Sequence, residues 1–162
     1  MEWGQVLAIV GAVAAMVGGG VGSSIGVSMA GYAAAGVVTE DPTKFGQCLV
    51  MQAMPMVQGV YGLLVGFIIL FIKLDVGNLA TSGLTAYSVQ EGLTLLIGAL
   101  PVAVVCFLSG IRQGRAAVAG IGLIAKRPEE AGKAIVMSVL IETFAVLAFL
   151  GTFLVIWFAV GP

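Results

Sequence analysis

Apolar residues run along this chain in four stretches, approximately 5–38, 45–72, 88–125 and 131–160, with very few charges inside them. Each exceeds the ~20 residues that a helix rising about 1.5 Å per residue needs to cross a hydrocarbon layer, so the pattern predicts four transmembrane helices. The breaks are Glu40-Asp41-Pro42-Thr43-Lys44, the segment from Lys73 to Ser88 with Asp75, Gly77 and Asn78, and Lys126-Arg127-Pro128-Glu129-Glu130. Turn residues, charges or both interrupt the apolar pattern at each. Met1-Glu2-Trp3 precedes the first span without the basic leader and short apolar core of a cleaved secretory signal, and this span is read as retained.

Four crossings put the first and third breaks on one side and both termini on the other. Lys44, Lys126, Arg127 and Lys133 then lie on the first side, against Lys73 alone opposite. The positive-inside bias makes the first side cytoplasmic, which predicts a multi-pass cell-membrane protein with both termini extracytoplasmic.

The two halves match each other. Ala33-Ala34-Ala35-Gly36 through Pro42 into Gly46 repeats as Ala117-Val118-Ala119-Gly120 through Pro128 into Gly132. Each half reads as a long apolar helix, a short Pro-containing turn and a second apolar helix. The predicted fold is therefore an all-α membrane protein of two tandem helical hairpins, residues 1–80 and 81–162, repeated in parallel and not inverted. With the prolines aligned, Glu142 of the second hairpin falls opposite Met56 of the first.

Composition narrows the chemistry. Of 162 residues 60% are hydrophobic, and eight acids nearly cancel seven bases, which excludes an ordinary soluble domain and any basic face for nucleic acid. The chain has no histidine, so imidazole metal sites and histidine acid–base catalysis are excluded. Cys48 and Cys106 lie about 20 Å apart in depth, too far for a disulfide within one chain. The first helix carries Gly18, Gly22, Gly26, Ala30 and Ala34 at every fourth position, and Gly110 and Gly114 begin a shorter stripe in the third. Such stripes let helix backbones approach closely, either inside a four-helix bundle or in a tightly curved ring with the glycine helices inside.

Glu142 is the most informative residue, because an ionised carboxylate in hydrocarbon costs several kcal/mol unless a proton, a cation or a partner neutralises it. Glu142 lies 14 residues after Pro128, Gln58 14 after Lys44 and Gln113 13 before Lys126. All three are therefore roughly 20 Å deep. One carboxylate and two amide oxygens suit a small hard cation. Pro55 leaves the carbonyl of Met51 without its helical donor and can turn neighbouring carbonyls, such as that of Met54, inward. Tyr61, one turn beyond Gln58, can reach a carboxylate with its hydroxyl. Arg112 and Arg115 lie too deep to snorkel, about 20 and 16 Å from the turn; Arg112 either pairs with Glu142 or faces a wet or headgroup-lined lumen.

The duplicated hairpin and Glu142-Thr143-Phe144-Ala145 resemble the proteolipid (K or c) subunits of V-type ATPases. Met54-Pro55-Met56-Val57-Gln58-Gly59-Val60-Tyr61-Gly62 and Ser109-Gly110-Ile111-Arg112-Gln113-Gly114 are similar to the bacterial sodium-transporting branch. The resemblance spans essentially the whole chain. It implies a homo-oligomeric rotor ring in the membrane, turned by a central stalk and exchanging Na+, or alternatively H+, with half-channels in a stator subunit. Lipids surround such a ring, and ATP is hydrolysed or made elsewhere, with no nucleotide on this non-catalytic subunit. The chain also lacks the glycine-lysine loop that cradles phosphates. The implied sodium ligands are Glu142, Gln58, Gln113 and the backbone carbonyl of Met54, with Tyr61 bonded to the carboxylate. A further threonine ligand is expected where this chain has Val57, and a small residue where it has Arg112. Without that hydroxyl, a water fills the place, fewer ligands serve, or the site carries a proton. The rival reading is a stand-alone four-helix cation transporter or channel.

Overall fold

The computed structural model describes residues 2–78, 80 and 83–158, and its regular structure is helical throughout. The first span is α1 (Trp3–Glu40). The second is broken into α2 (Phe45–Ala53), a 3₁₀ turn at Met54–Met56, α3 (Val57–Phe67) and a π-helical stretch at Ile68–Lys73. The third and fourth are α4 (Val89–Lys126) and α5 (Ala131–Phe158). Four helical stretches, Trp3–Glu40, Pro42–Lys73, Val89–Lys126 and Pro128–Phe158, are long and apolar enough to cross a membrane. The chain is a multi-pass membrane protein. Positions 159 and 160, predicted to end the fourth span, and position 81, predicted to open the second hairpin, lie outside the described residues.

Both short turns are 3₁₀ and open on proline, Pro42 in one and Pro128 in the other, where a missing N–H leaves no helical bond unmade. Asp41 caps the first, accepting from the Thr43 amide at 3.1 Å and the Thr43 hydroxyl at 2.6 Å. These bonds, the hydroxyl's foremost, and Lys44 hold its carboxyl below the usual carboxylate range. The longer connection is tied back by Tyr87, whose hydroxyl donates to the Lys73 carbonyl at 2.9 Å, and by Gln5, which donates to the Thr85 carbonyl at 3.2 Å. The π-helical stretch was not expected; it closes with the Leu74 amide donating to the Ile69 carbonyl, five residues back.

The glycine stripe of α1 finds its partner in α4 of the same chain. Backbone atoms of Ala103, Phe107 and Gly110 occupy the space that a side chain on Gly18, Gly22 or Gly26 would need. Gly110 and Gly114 lie equally close to Gly22 and Gly26. In hydrocarbon, apolar side chains gain little by leaving lipid, so this close backbone contact is what binds the two long helices. Gly19 and Gly62 bring α1 and α3 together in the same way. Cys48 and Cys106 are both free and buried.

Gly26→Ala is expected to destabilise the protein by about 2 kcal/mol, because its Cβ would overlap the backbone of α4. Gly36→Ala, which has nothing within 4 Å, should be neutral or slightly stabilising. Detergent-induced unfolding of the two variants checks the contrast.

Candidate functional site

At the mid-depth of the bundle, α3, α4 and α5 each contribute one long polar side chain to a single cluster. Glu142 of α5 is half-buried, and Gln58 of α3 and Gln113 of α4 are fully buried. The Tyr61 hydroxyl donates to Oε1 of Glu142 at 3.3 Å. Gln113 Nε2 donates to the Ser138 carbonyl at 3.2 Å and, more weakly, to Glu142 Oε2 at 3.5 Å. Gln58 Nε2 donates to Gln113 Oε1 at 2.5 Å and to the Ser109 hydroxyl at 3.3 Å. Two buried side-chain oxygens of these residues are left over, the Ser138 hydroxyl and the amide oxygen of Gln58. Gln58 Oε1 is buried and has no hydrogen-bond partner among the described residues. A buried oxygen without a partner costs about 1–3 kcal/mol, so the cluster is incomplete as a purely structural network.

The bend that positions Gln58 comes from Pro55. Lacking an N–H, it breaks the helical ladder, and a 3₁₀ turn at Met54–Met56 replaces it. Ser23 of α1 spans the break: its hydroxyl donates to the Met56 carbonyl at 3.3 Å and accepts from the Gly59 amide at 2.7 Å. Met54 and Val57, at the two ends of this bend, are half-buried. On the other side, Ser109 donates to the Ile141 carbonyl at 3.2 Å, linking α4 to α5 beside Glu142. Tyr61 is held in turn by stacking on Phe149, ring centroids 5.2 Å apart.

Sequence reasoning thus named Glu142, Gln58, Gln113 and Tyr61, and the structure brings these four together. It missed Ser23, Ser109 and Ser138. The signal was available, since Ser23 and Ser109 occupy the same place in the two repeats. Of the two readings of Arg112, the pairing with Glu142 does not form. Arg112 is exposed and lines a groove with Leu108, Ser109, Ile141 and Phe144, while the ion pairs among the described residues are Lys44–Asp41 and Lys133–Glu130.

One carboxylate surrounded by neutral oxygens can balance one positive charge. Among the described residues no group of three His, Cys, Asp or Glu side chains converges. The donor set therefore suits a monovalent hard cation better than a divalent or a soft metal. Glu142 and the free oxygen of Gln58 are the groups that would hold such an ion. Gln113 presents its nitrogen to Glu142 and to the Ser138 carbonyl, while its oxygen accepts from Gln58.

The sequence pattern of the ATP synthase C-subunit family matches this chain twice, at residues 10–69 and 96–155. The chain is 41% identical over 153 residues to the V-type sodium ATPase subunit K of Enterococcus hirae, covering 94% of this chain and 92% of that protein. It is 42% identical over 145 residues to the A-type ATP synthase subunit K of Methanocaldococcus jannaschii, covering 90% of this chain but 59% of that one.

Proposed function

The chain belongs to the ATP synthase C-subunit family, whose members are non-catalytic, ion-translocating rotor components, and from that premise we propose that it carries sodium ions in the membrane ring of a V-type ATPase. The observation that carries the reading is the buried, unpartnered oxygen of Gln58 in the same cluster as the lone carboxylate of Glu142. An entering cation satisfies that oxygen and cancels the carboxylate's charge in one event. The Enterococcus hirae relative, by name part of a sodium ATPase, supports the choice of ion.

Occupancy and movement are coupled by electrostatics. A Glu142 with its ion bound is neutral and passes lipid at little cost. An emptied, ionised Glu142 in the same surroundings costs about 3 kcal/mol or more, so it remains at a polar interface until another ion arrives. That interface belongs to a stator subunit with half-channels to either side, and the torque reaches the ring through a central stalk. Tyr61 orients the carboxylate between passages through its hydroxyl. The two-turn end of the bundle, with Lys44, Lys126, Arg127 and Lys133, faces the cytoplasm, and both termini lie outside. Residues 1–80 and 81–162 form the two hairpins, the second carrying the ion's carboxylate.

Proton carriage is the second reading, favoured by one residue: Val57 offers no oxygen where a threonine ligand was expected.

Carbodiimides attack protonated carboxyl groups, so sodium at fixed pH is expected to slow the modification of Glu142 in the purified assembly. Modification that responds to pH alone would identify a proton carrier. Val57→Thr is expected to tighten sodium binding about tenfold, which corresponds to ~1.4 kcal/mol from one added oxygen ligand. An unchanged affinity would mean that position 57 does not face the ion.

A further inference from the structure

Among the described residues, three side-chain oxygens are buried without a hydrogen-bond partner: Gln58 Oε1, the Ser138 hydroxyl and the Thr152 hydroxyl. The first two belong to the cluster around Glu142. Thr152 stands ten residues beyond Glu142 on α5, about 15 Å further along the helix axis, and lies at a different level.

A serine or threonine inside a helix ordinarily donates to its own backbone, three or four residues back. Ser24 does so to the Val21 carbonyl at 3.0 Å, Ser28 to Ser24 at 2.7 Å, Thr39 to Ala35 at 2.8 Å and Thr94 to Gln90 at 2.9 Å. Ser138 makes no such bond, although it is fully buried. One hydrogen and two lone pairs of its hydroxyl therefore stay uncommitted in the interior of the bundle.

Ser138 stands one turn before Glu142 on the same face of α5. Long side chains on a helix lean back toward its N-terminus, which brings the Glu142 carboxylate over Ser138. The hydrogen bonds agree: Gln113 Nε2 lies 3.2 Å from the Ser138 carbonyl and 3.5 Å from Glu142 Oε2, so one nitrogen touches both residues. Away from Ser138, Glu142 opens onto a groove lined by Val139, Thr143 and Val146. Ser138 is thus on the closed, inner side of the carboxylate. Ser109 also borders the cluster, but its hydroxyl is already engaged, donating to the Ile141 carbonyl at 3.2 Å and accepting from Gln58 at 3.3 Å.

We propose that the Ser138 hydroxyl is an ion ligand, completing with Glu142 and Gln58 Oε1 the oxygen set that takes up sodium, and that it favours sodium over the proton. The inference rests on the sodium reading of this cluster and adds a specificity-determining residue to it. Glu142 supplies the one negative charge, so neutral oxygens have to supply the rest of the shell of a hard cation. Val57 has no side-chain oxygen to give, and the amide oxygen of Gln113 is taken up by Gln58. Ser138 and Gln58 are left as the side chains with a wholly uncommitted oxygen. A hydroxyl lone pair meets sodium as a water would, without adding charge. A proton makes a different demand: it binds the carboxylate itself and needs no surrounding shell. Because the Ser138 hydroxyl makes no hydrogen bond to Glu142, it contributes to sodium affinity and leaves proton affinity alone.

The test follows carbodiimide modification of Glu142 in the purified assembly as sodium concentration and pH are varied. Ser138→Ala is expected to raise the sodium concentration that gives half-protection about tenfold. The pH midpoint of modification without sodium should stay at its native value. The temperature at which the assembly dissociates should not fall, since removing a partnerless buried hydroxyl deletes no hydrogen bond. If Ser138→Ala does not assemble, Ser138→Cys keeps the volume but offers a hard cation only a soft sulfur, and the same loss is expected. Protection at the native sodium concentration in these variants overturns the assignment of Ser138 and leaves the sodium reading standing. A pH midpoint that moves together with the sodium dependence also overturns it, because the substitution would then be acting on the carboxylate itself. A native assembly that sodium protects at no concentration overturns both.

Discussion

A single acidic side chain in the hydrocarbon layer constrains the rest of this structure. Among the described residues no arginine or lysine pairs with Glu142, and the side chains that bond to it, Tyr61 and Gln113, are neutral. Neutral donors soften the burial of a charge but do not cancel it. On the proposed reading, cancellation comes from an ion that arrives and leaves, which would make the polar cluster a carrier. The unpartnered Gln58 oxygen belongs to the same requirement: it is poorly placed in a permanent network and well placed for a visiting ion.

The site depends on how closely the backbones pack. Glycines at 22 and 26 of α1 and at 110 and 114 of α4 bring the two long helices into backbone contact, and Gly19 and Gly62 do the same for α1 and α3. That approach allows Ser23 to reach across to the Met56 carbonyl and the Gly59 amide, compensating for the break at Pro55. The backbone on either side of Gln58 is thereby anchored to α1. Close packing, the proline bend and the serine bridge together place the amides within hydrogen-bonding distance of each other.

Depth was legible in the sequence and direction was not. Helix rise is nearly constant, so counting from the turns put Gln58, Gln113 and Glu142 at one level, and apolar run length marked α1, α4 and α5 to within a few residues. Which way a side chain faces depends on rotation about the helix axis and on which helices touch, and neither is encoded in spacing alone. Of the two readings of Arg112, its exposed place in the groove on α4 and α5 removes the pairing with Glu142. Ser23, Ser109 and Ser138 were passed over because serines in membrane helices often bond to their own backbone, as Ser24 and Ser28 do here. The π-helical stretch at Ile68–Lys73 lies in an unbroken apolar run with no proline or glycine to announce it.

The most direct measurement counts radioactive sodium bound per chain in the purified assembly at alkaline pH, for the native protein and for Glu142→Gln. The account predicts one ion per chain in the native protein, displaced as protons compete at lower pH, and none in Glu142→Gln even though the assembly stays intact. Sodium binding that survives Glu142→Gln, or a native assembly that retains no sodium at any pH, would contradict it.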